Sequence, residues 1–258
     1  KGRNNFLTRL KIILCYVKFT LKDFFLFRFL KIPIEKEKFL SYGAVFSNYS
    51  VFRTLFVEIF ISGQYNFFSI KKPDPYIIDC GANFGMSLFF FKFLYPEAKI
   101  VAFEPDPKAY KMLVKNVTDN KLRNVALHNI ALSGYIGEAE FYTDEENSCL
   151  STMLKGITRP HKLSVKKVKT GKLSQFIGRE VDLLKVDIEG VEDAVFLELE
   201  KESRLRLVSN IAMEYHPSIC QKFQDMPDFL GFFQRNHFTC QYKSYASNYL
   251  IYANKLIV

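Results

Sequence analysis

From Tyr76 onward, short runs of β-branched and aromatic residues alternate with stretches whose apolar positions recur every three to four residues. The runs Tyr76–Cys80, Lys99–Phe103, Val125–Asn129, Glu138–Tyr142, Asp182–Asp187 and Leu207–Glu214 read as strands. Phe84–Leu94, Pro107–Asp119, Val191–Lys201 and Ser218–Arg235 read as helices. Strand, helix, strand in this order predicts an α/β fold with a mostly parallel sheet covered on both faces. Two further strand-like runs, His237–Lys243 and Asn248–Ile257, are joined by the turn formers Ser244–Ser247, so an antiparallel C-terminal hairpin is expected to close the sheet.

The pattern before Tyr76 is different. The apolar run Ile12–Leu30 contains Lys18, Lys22, Asp23 and Arg28, too many charges for a bilayer-crossing helix. At 100° per residue Lys11, Lys18 and Lys22 fall within about 40° of one another, with apolar residues around most of the remaining circumference. That pattern predicts a basic amphipathic helix, which either packs on its own domain with its lysine stripe in solvent or docks on a second subunit, and residues 1–30 are a candidate for peripheral contact with an anionic membrane surface. Pro33 interrupts it, a second helical stretch is expected over Glu35–Ile61, and Lys71-Lys72-Pro73-Asp74-Pro75 reads as a linker. The expected organisation is an N-terminal helical extension over 1–70 and an α/β domain over 71–258.

Composition narrows the class. With 258 residues, 48% of them hydrophobic and 24% charged, the chain can build a sizeable core, which excludes disordered and collagen-like classes. Five cysteines, odd in number and never spaced C-x-x-C, speak against a zinc site or a disulfide framework and for a reducing, cytoplasmic setting. The net charge of +9 favours acidic partners without choosing among them.

Candidate chemistry begins at Ile77-Ile78-Asp79-Cys80-Gly81-Ala82-Asn83-Phe84-Gly85, a strand that ends in a glycine-containing turn and opens an apolar helix. Such a turn brings bare backbone close to a nucleotide-type cofactor. It departs from the dinucleotide pattern G-x-G-x-x-G, because only Gly81 and Gly85 are present and Asn83 occupies the intermediate position. An acid just before the turn would repel a pyrophosphate, but Asp79 suits a ligand with an ammonium group, such as the methionine part of S-adenosylmethionine. Glu104 ends the next strand, 23 residues after Gly81, where an acid can accept both ribose hydroxyls of an adenosine cofactor. Asn129 ends the third strand and is the candidate on the adenine side, or else a turn cap.

A second cluster follows in Leu184-Lys185-Val186-Asp187-Ile188-Glu189-Gly190-Val191-Glu192 and in Glu214-Tyr215-His216. Asp187 and Glu189 share a strand face or rim, Glu192 opens a helix, and Glu214 and His216 can point into one cleft. This set offers a general base, with His216 the residue of near-neutral pKa, and its acids could instead hold a divalent cation. Lys185 lies one residue from the opposite strand face and is expected to pair with one of these acids. The stretch Asp144–Lys172, with Arg159, His161, Lys162, Lys166 and Lys167, is expected to be a long loop and a candidate substrate lid.

The chain resembles the FkbM family of S-adenosylmethionine-dependent methyltransferases through Asp79-Cys80-Gly81-Ala82-Asn83-Phe84-Gly85, Phe103-Glu104-Pro105, Lys185-Val186-Asp187-Ile188-Glu189-Gly190-Val191-Glu192 and Glu214-Tyr215-His216. Cys80 and Phe84 stand where that family more often has aliphatic residues. The resemblance implies a Rossmann-like seven-stranded methyltransferase sheet, S-adenosylmethionine held near Asp79, Gly81 and Glu104, and methyl transfer usually to a hydroxyl of a sugar, glycan or small metabolite. The alternatives fit less of the pattern. A nicotinamide oxidoreductase would need G-x-G-x-x-G, and a nucleic-acid methyltransferase is favoured only by the net charge. A metal-dependent hydrolase built on Asp187, Glu189 and Glu214 leaves the glycine turn unused, and a non-catalytic module would keep the pocket alone.

Overall fold

The computed structural model describes residues 6–68, 70–144, 152, 153, 163–217, 220, 222, 223, 225–245 and 248–256. The chain enters through helix α1 (Phe6–Lys22), which runs on in π-helical turns over Asp23–Phe29. Strands β1 (Lys36–Phe39) and β2 (Tyr42–Val45) then pair antiparallel, and α2 (Tyr49–Phe56) follows. The helix expected over Glu35–Ile61 is therefore corrected at its first half. Lys36-Glu37-Lys38-Phe39 alternates exposed and buried, a period of two that belongs to a strand. The helix begins only where Asn48 caps it, its side chain accepting from the backbone N–H groups of Ser50 and Val51.

The core α/β unit comprises β3 (Tyr76–Cys80), α3 (Met86–Leu94), β4 (Lys99–Phe103), α4 (Pro107–Asp119) and β5 (Val125–His128). A side sheet follows, made of β6 (Ala131–Leu132), β7 (Gly137–Asp144) and β8 (Leu163–Gly171). The chain then completes the main sheet with β9 (Leu183–Val186), α5 (Glu192–Lys201), β10 (Asn210–Tyr215), α6 (Met226–Arg235), β11 (Phe238–Tyr245) and β12 (Asn248–Lys255). The seven strands of the main sheet lie in the order β11-β12-β10-β9-β3-β4-β5. All are parallel except β12, which is antiparallel to both β10 and β11, so the C-terminal hairpin is present as expected.

Two further expectations change. The run around Glu138–Tyr142 leaves the main sheet: β7 pairs antiparallel with β8, and β6 pairs parallel with β8. The C-terminal third of the expected lid is accordingly a strand, since Lys166 and Lys167 lie on β8. Lysine-rich alternation had masked it, although Val168 faces inward. Arg159, His161 and Lys162 lie outside the described residues. The expected Ser218–Arg235 helix starts only at Met226, because Asp225 caps it by accepting from the N–H of Asp228, and Pro227 suits a first turn.

One apolar core runs from Phe19, Phe39, Phe46, Phe52 and Phe56 directly into Phe84 and Phe89 on the α3 side of the sheet, so the N-terminal segment packs on the α/β unit. A second core fills the other face around Val186, Phe196, Tyr215, Phe229 and Phe233. The lysine stripe of α1 is divided: Lys11 is exposed, whereas Lys18 and Lys22, half-exposed, are tied down within the protein. Lys18 and Lys22 both reach the buried Glu37 carboxylate, at 3.0 and 2.7 Å. Tyr49 Oη also donates to it, at 3.2 Å.

Candidate active site

The carboxyl ends of β3 and β4 meet at a turn built almost entirely from backbone. The N–H groups of Gly81 and Ala82 donate to the Phe103 carbonyl at 3.0 and 2.9 Å. Gly81 has φ +84°, and a Cβ there would fall 1.8 Å from the Asp187 carbonyl oxygen, so only glycine lets β3 pass the end of β9 this closely. Asn83 also takes a left-handed φ of 50° and turns its own Oδ1 to the N–H of Phe84.

Glu104 sits beside this turn. Its two carboxylate oxygens accept from the N–H groups of Asn83 and Asp106, both at 2.8 Å. Burial raises its pKa to about 7 against the lowering by these two bonds. Asn129 donates from Nδ2 to the carbonyls of Glu104 and Pro105, at 2.8 and 3.0 Å, and so braces the same turn from an exposed position. Lys166 of β8 reaches the Asp106 carboxylate at 3.0 Å and ties the side sheet to this edge.

Asp79 is placed differently from the expectation. Its carboxylate is wholly buried below the turn, accepts from Ser87 Oγ at 2.5 Å and pairs with Lys185 Nζ at 3.1 Å. Lys185 also donates to the carbonyls of Cys80 and Gly81, at 3.1 and 2.5 Å. The acid and the lysine thus hold the turn from beneath, and Asp79's carboxylate does not stand open to a ligand. Burial alone would lower the lysine's pKa, but the charges of Asp79 and Asp187 overcome it and raise it, which keeps the ammonium charged.

The ends of β9 and β10 carry the second cluster. Ligand atoms of Asp187, Glu214 and His216 lie within 4.8 Å of one another. Nδ1 of His216 is bonded to Glu192 at 2.9 Å, and its Nε2 faces Glu214 and Glu189 at 3.6 and 3.8 Å. Burial would lower this imidazole's pKa. The Glu192 bond and the charges of Glu192, Glu189 and Asp187 instead raise it to about 10, so at neutral pH the ring is a cation. Glu192 is itself fixed by the Gly190 N–H at 3.0 Å and by Cys220 Sγ at 3.0 Å.

Glu214 has its pKa raised by burial and by the charge of Asp187. Its oxygens accept from Asn248 Nδ2 at 2.8 Å and from Gln64 Nε2 at 3.4 Å, while Tyr65 Oη donates to Asp187 at 3.4 Å. Burial and these acids raise Tyr65 well above its ordinary pKa, so it remains a donor. Thr152 Oγ1 donates to the Glu189 carbonyl at 2.6 Å, which brings one residue of the expected lid to the cluster.

Every candidate residue therefore lies on one end of the sheet. Gly81, Asn83, Gly85, Glu104 and Asn129 group at β3–β5, and Asp187, Glu189, Glu214 and His216 at β9–β10. Sequence reasoning missed Gln64, Tyr65, Ser87 and Asn248. Gln64 and Tyr65 lie between the expected helix and the linker, where Ser62-Gly63-Gln64-Tyr65 has the composition of a turn and no chemical motif, and Asn248 looked like the first residue of a strand.

Residues 79–243 match the protein family described as the methyltransferase FkbM domain. The chain belongs to that family. It is 29% identical to methyltransferase sdnD of Sordaria araneosa over 218 residues, covering 72% of this chain and 82% of that one. It is 28% identical to the 2-O-methyltransferase NoeI of Sinorhizobium fredii over 142 residues, covering 49% of this chain and 58% of that one. Among solved structures it is similar to TrmK of M. capricolum, described in complex with the cofactor product S-adenosyl-homocysteine. That likeness has TM-score 0.43 and 11% identity, over 76% of this chain and 67% of that one.

This FkbM protein is a methyltransferase with a Rossmann-like sheet and S-adenosylmethionine as its donor. Its residues fit such a group. Glu104 is a buried carboxylate with two N–H partners and no cation in salt-bridge contact among the described residues, leaving lone pairs for a ribose diol.

Proposed function

We propose that this protein transfers the methyl group to a hydroxyl oxygen of a sugar, glycan or small metabolite. The single observation that carries the reading is the carboxylate pair of Asp187 and Glu214 beside His216, at the end of the sheet where the glycine turn also lies. An alcohol is a poor nucleophile until its proton leaves, and a base in hydrogen-bond reach supplies that step. The similar 2-O-methyltransferase NoeI supports an oxygen acceptor, at modest coverage.

S-adenosylmethionine, when bound, supplies a methyl group already activated by a sulfonium charge. What is left to this chain is positioning and one proton transfer. In this reading Glu104 and the Gly81–Gly85 turn hold the nucleoside, Asn129 bounds the adenine side, and the Asp79–Lys185 pair fixes the turn. Glu214 takes the proton from the acceptor hydroxyl, because burial and the neighbouring Asp187 charge make its carboxylate more basic than an exposed one. Asp187, within reach of Tyr65 Oη, orients the same hydroxyl. His216, held as a cation by Glu192, stabilises the ionised acids and is not the base. Glu189 faces His216 from the rim and adds to that field.

The test is mass spectrometry of products after incubation with S-adenosylmethionine and a panel of sugars, oligosaccharides and hydroxylated metabolites. The reading expects a methyl ether on a hydroxyl, lost in Glu214→Ala. Methylation only at nitrogen or carbon would overturn it. Activity abolished by chelation and restored by magnesium would reassign Asp187 and Glu214 from proton transfer to cation binding.

A further inference from the structure

Helix α1 is apolar on two sides, and only one of them is used within the protein. Its inner side buries Ile12 and Phe19, and Phe19 packs edge-on against Phe52 and Phe56 at 5.0 and 4.9 Å between ring centroids. Lys18 and Lys22 fix the helix further through Glu37. The opposite side carries Phe6, Leu10, Ile13, Leu14, Val17 and Leu21, all exposed, within an arc of about 100° that contains no charge. The π-helical turns extend this surface with Phe24, Phe25 and Phe29, exposed at 59%, 53% and 74%. Of the 20 large apolar side chains exposed among the described residues, 12 fall between residues 6 and 32, so the exposure is a patch and not ordinary scatter.

The charges around this patch are of one sign. Between residues 6 and 32 the chain has Arg9, Lys11, Lys18, Lys22, Arg28 and Lys31 against the single acid Asp23. Asp23 is buried and already bound by Arg28, Arg53 and Ser50 Oγ, at 3.0, 3.3 and 2.7 Å. No described helix is long and apolar enough to cross a membrane. An apolar face that lies flat, on a segment whose exposed charges between residues 6 and 32 are all cationic, has the charge complement of an anionic bilayer. A second copy fits less well, since a two-fold pairing of this face would bring together two segments whose exposed charges between residues 6 and 32 are all cationic.

We propose that the outer face of α1 and of the turns that follow it seats on an anionic lipid surface. The face differs from the one the sequence pointed to: Lys18 and Lys22 are tied to Glu37 while Lys11 stays exposed at the rim, and the neighbouring apolar arc meets the lipid.

The experiment is sedimentation of the full chain with phosphatidylcholine vesicles and with mixed phosphatidylcholine–phosphatidylglycerol vesicles. The expected result is binding to the anionic vesicles, with roughly tenfold or greater loss of the bound-to-free ratio in Leu10→Ser/Ile13→Ser/Val17→Ser. The charge reversal Lys11→Glu/Lys31→Glu is expected to lower binding to the anionic vesicles by a similar factor and to leave the neutral ones unchanged. Thermal unfolding and S-adenosylhomocysteine binding of each variant confirm that the fold is intact. Absence of binding by the parent chain, or equal binding by the triple variant, would overturn the proposal. A dimer in light scattering that the triple variant converts to a monomer, with no vesicle binding by the parent, would assign the face to a second copy.

Discussion

The two halves of the sheet's carboxyl edge are built on opposite principles. At β3 and β4 the acids are held by fixed partners: Glu104 by two backbone N–H groups, Asp79 by Ser87 and Lys185. At β9 and β10 the acids Asp187, Glu189 and Glu214 crowd around one another and around a protonated His216, with side-chain donors at the margin. A site braced by backbone presents a fixed geometry, which suits a cofactor that is the same in every turnover. A site made of mutually perturbed charges changes protonation easily, which suits proton transfer. The difference predicts that damage to one half leaves the task of the other largely intact.

The largest separation is expected in turnover. Glu214→Ala or Asp187→Ala should lower kcat by about 10² to 10⁴ on an identified acceptor while cofactor affinity changes little. Full turnover in both would remove these acids from the chemistry. Next comes the brace itself. Lys185→Met leaves the Asp79 carboxyl buried without its cation, and should cost about 3–5 kcal/mol of stability in denaturant titration. Adding Asp79→Asn should recover a large part of that loss, which a lysine acting by packing alone would not allow.

The two halves also differ in pH response. His216 has its folded pKa raised from 6.5 to about 10, so its contribution to stability is complete below pH 6.5 and is lost as pH rises through 10. His216→Gln should therefore flatten the decline of unfolding free energy between pH 7 and 10. Glu104 must be ionised to accept two hydroxyls, and its pKa is about 7. Cofactor affinity should fall as pH drops through 7, by roughly tenfold between pH 8 and pH 6, and Glu104→Gln should remove that dependence. An unchanged dissociation constant across that range would place the ribose elsewhere.

Legibility in the sequence followed the same division. The β3–turn–α3 unit could be read because Gly81 and Gly85 announce a backbone conformation that few other residues adopt. The parallel sheet could be expected because most of its strands alternate with helices of clear period. The hairpin β1–β2 could not, since four residues of Lys-Glu-Lys-Phe are too few to separate period two from a helical turn. The destination of each charge was also hidden. Lys18 and Lys22 looked like a solvent stripe because nothing in one dimension shows that Glu37 folds back beneath them. Asp79 looked open because its partner Lys185 is 106 positions away. His216 looked like a base because its pKa is set by Glu192, 24 residues earlier in sequence and 2.9 Å away in space. Gln64, Tyr65 and Asn248 join the site from segments with no chemical motif of their own.

The separation of the two halves is tested most directly by calorimetric titration of S-adenosylhomocysteine, which needs no knowledge of the acceptor. Three proteins are compared: the parent chain, Glu104→Ala, and Asp187→Ala/Glu214→Ala. The account predicts weakening by about 1–3 kcal/mol in Glu104→Ala, the scale for removing a buried hydrogen-bonding partner, and a nearly unchanged affinity in the double variant. Equal affinity in the parent and Glu104→Ala, together with lost binding in the double variant, would contradict it.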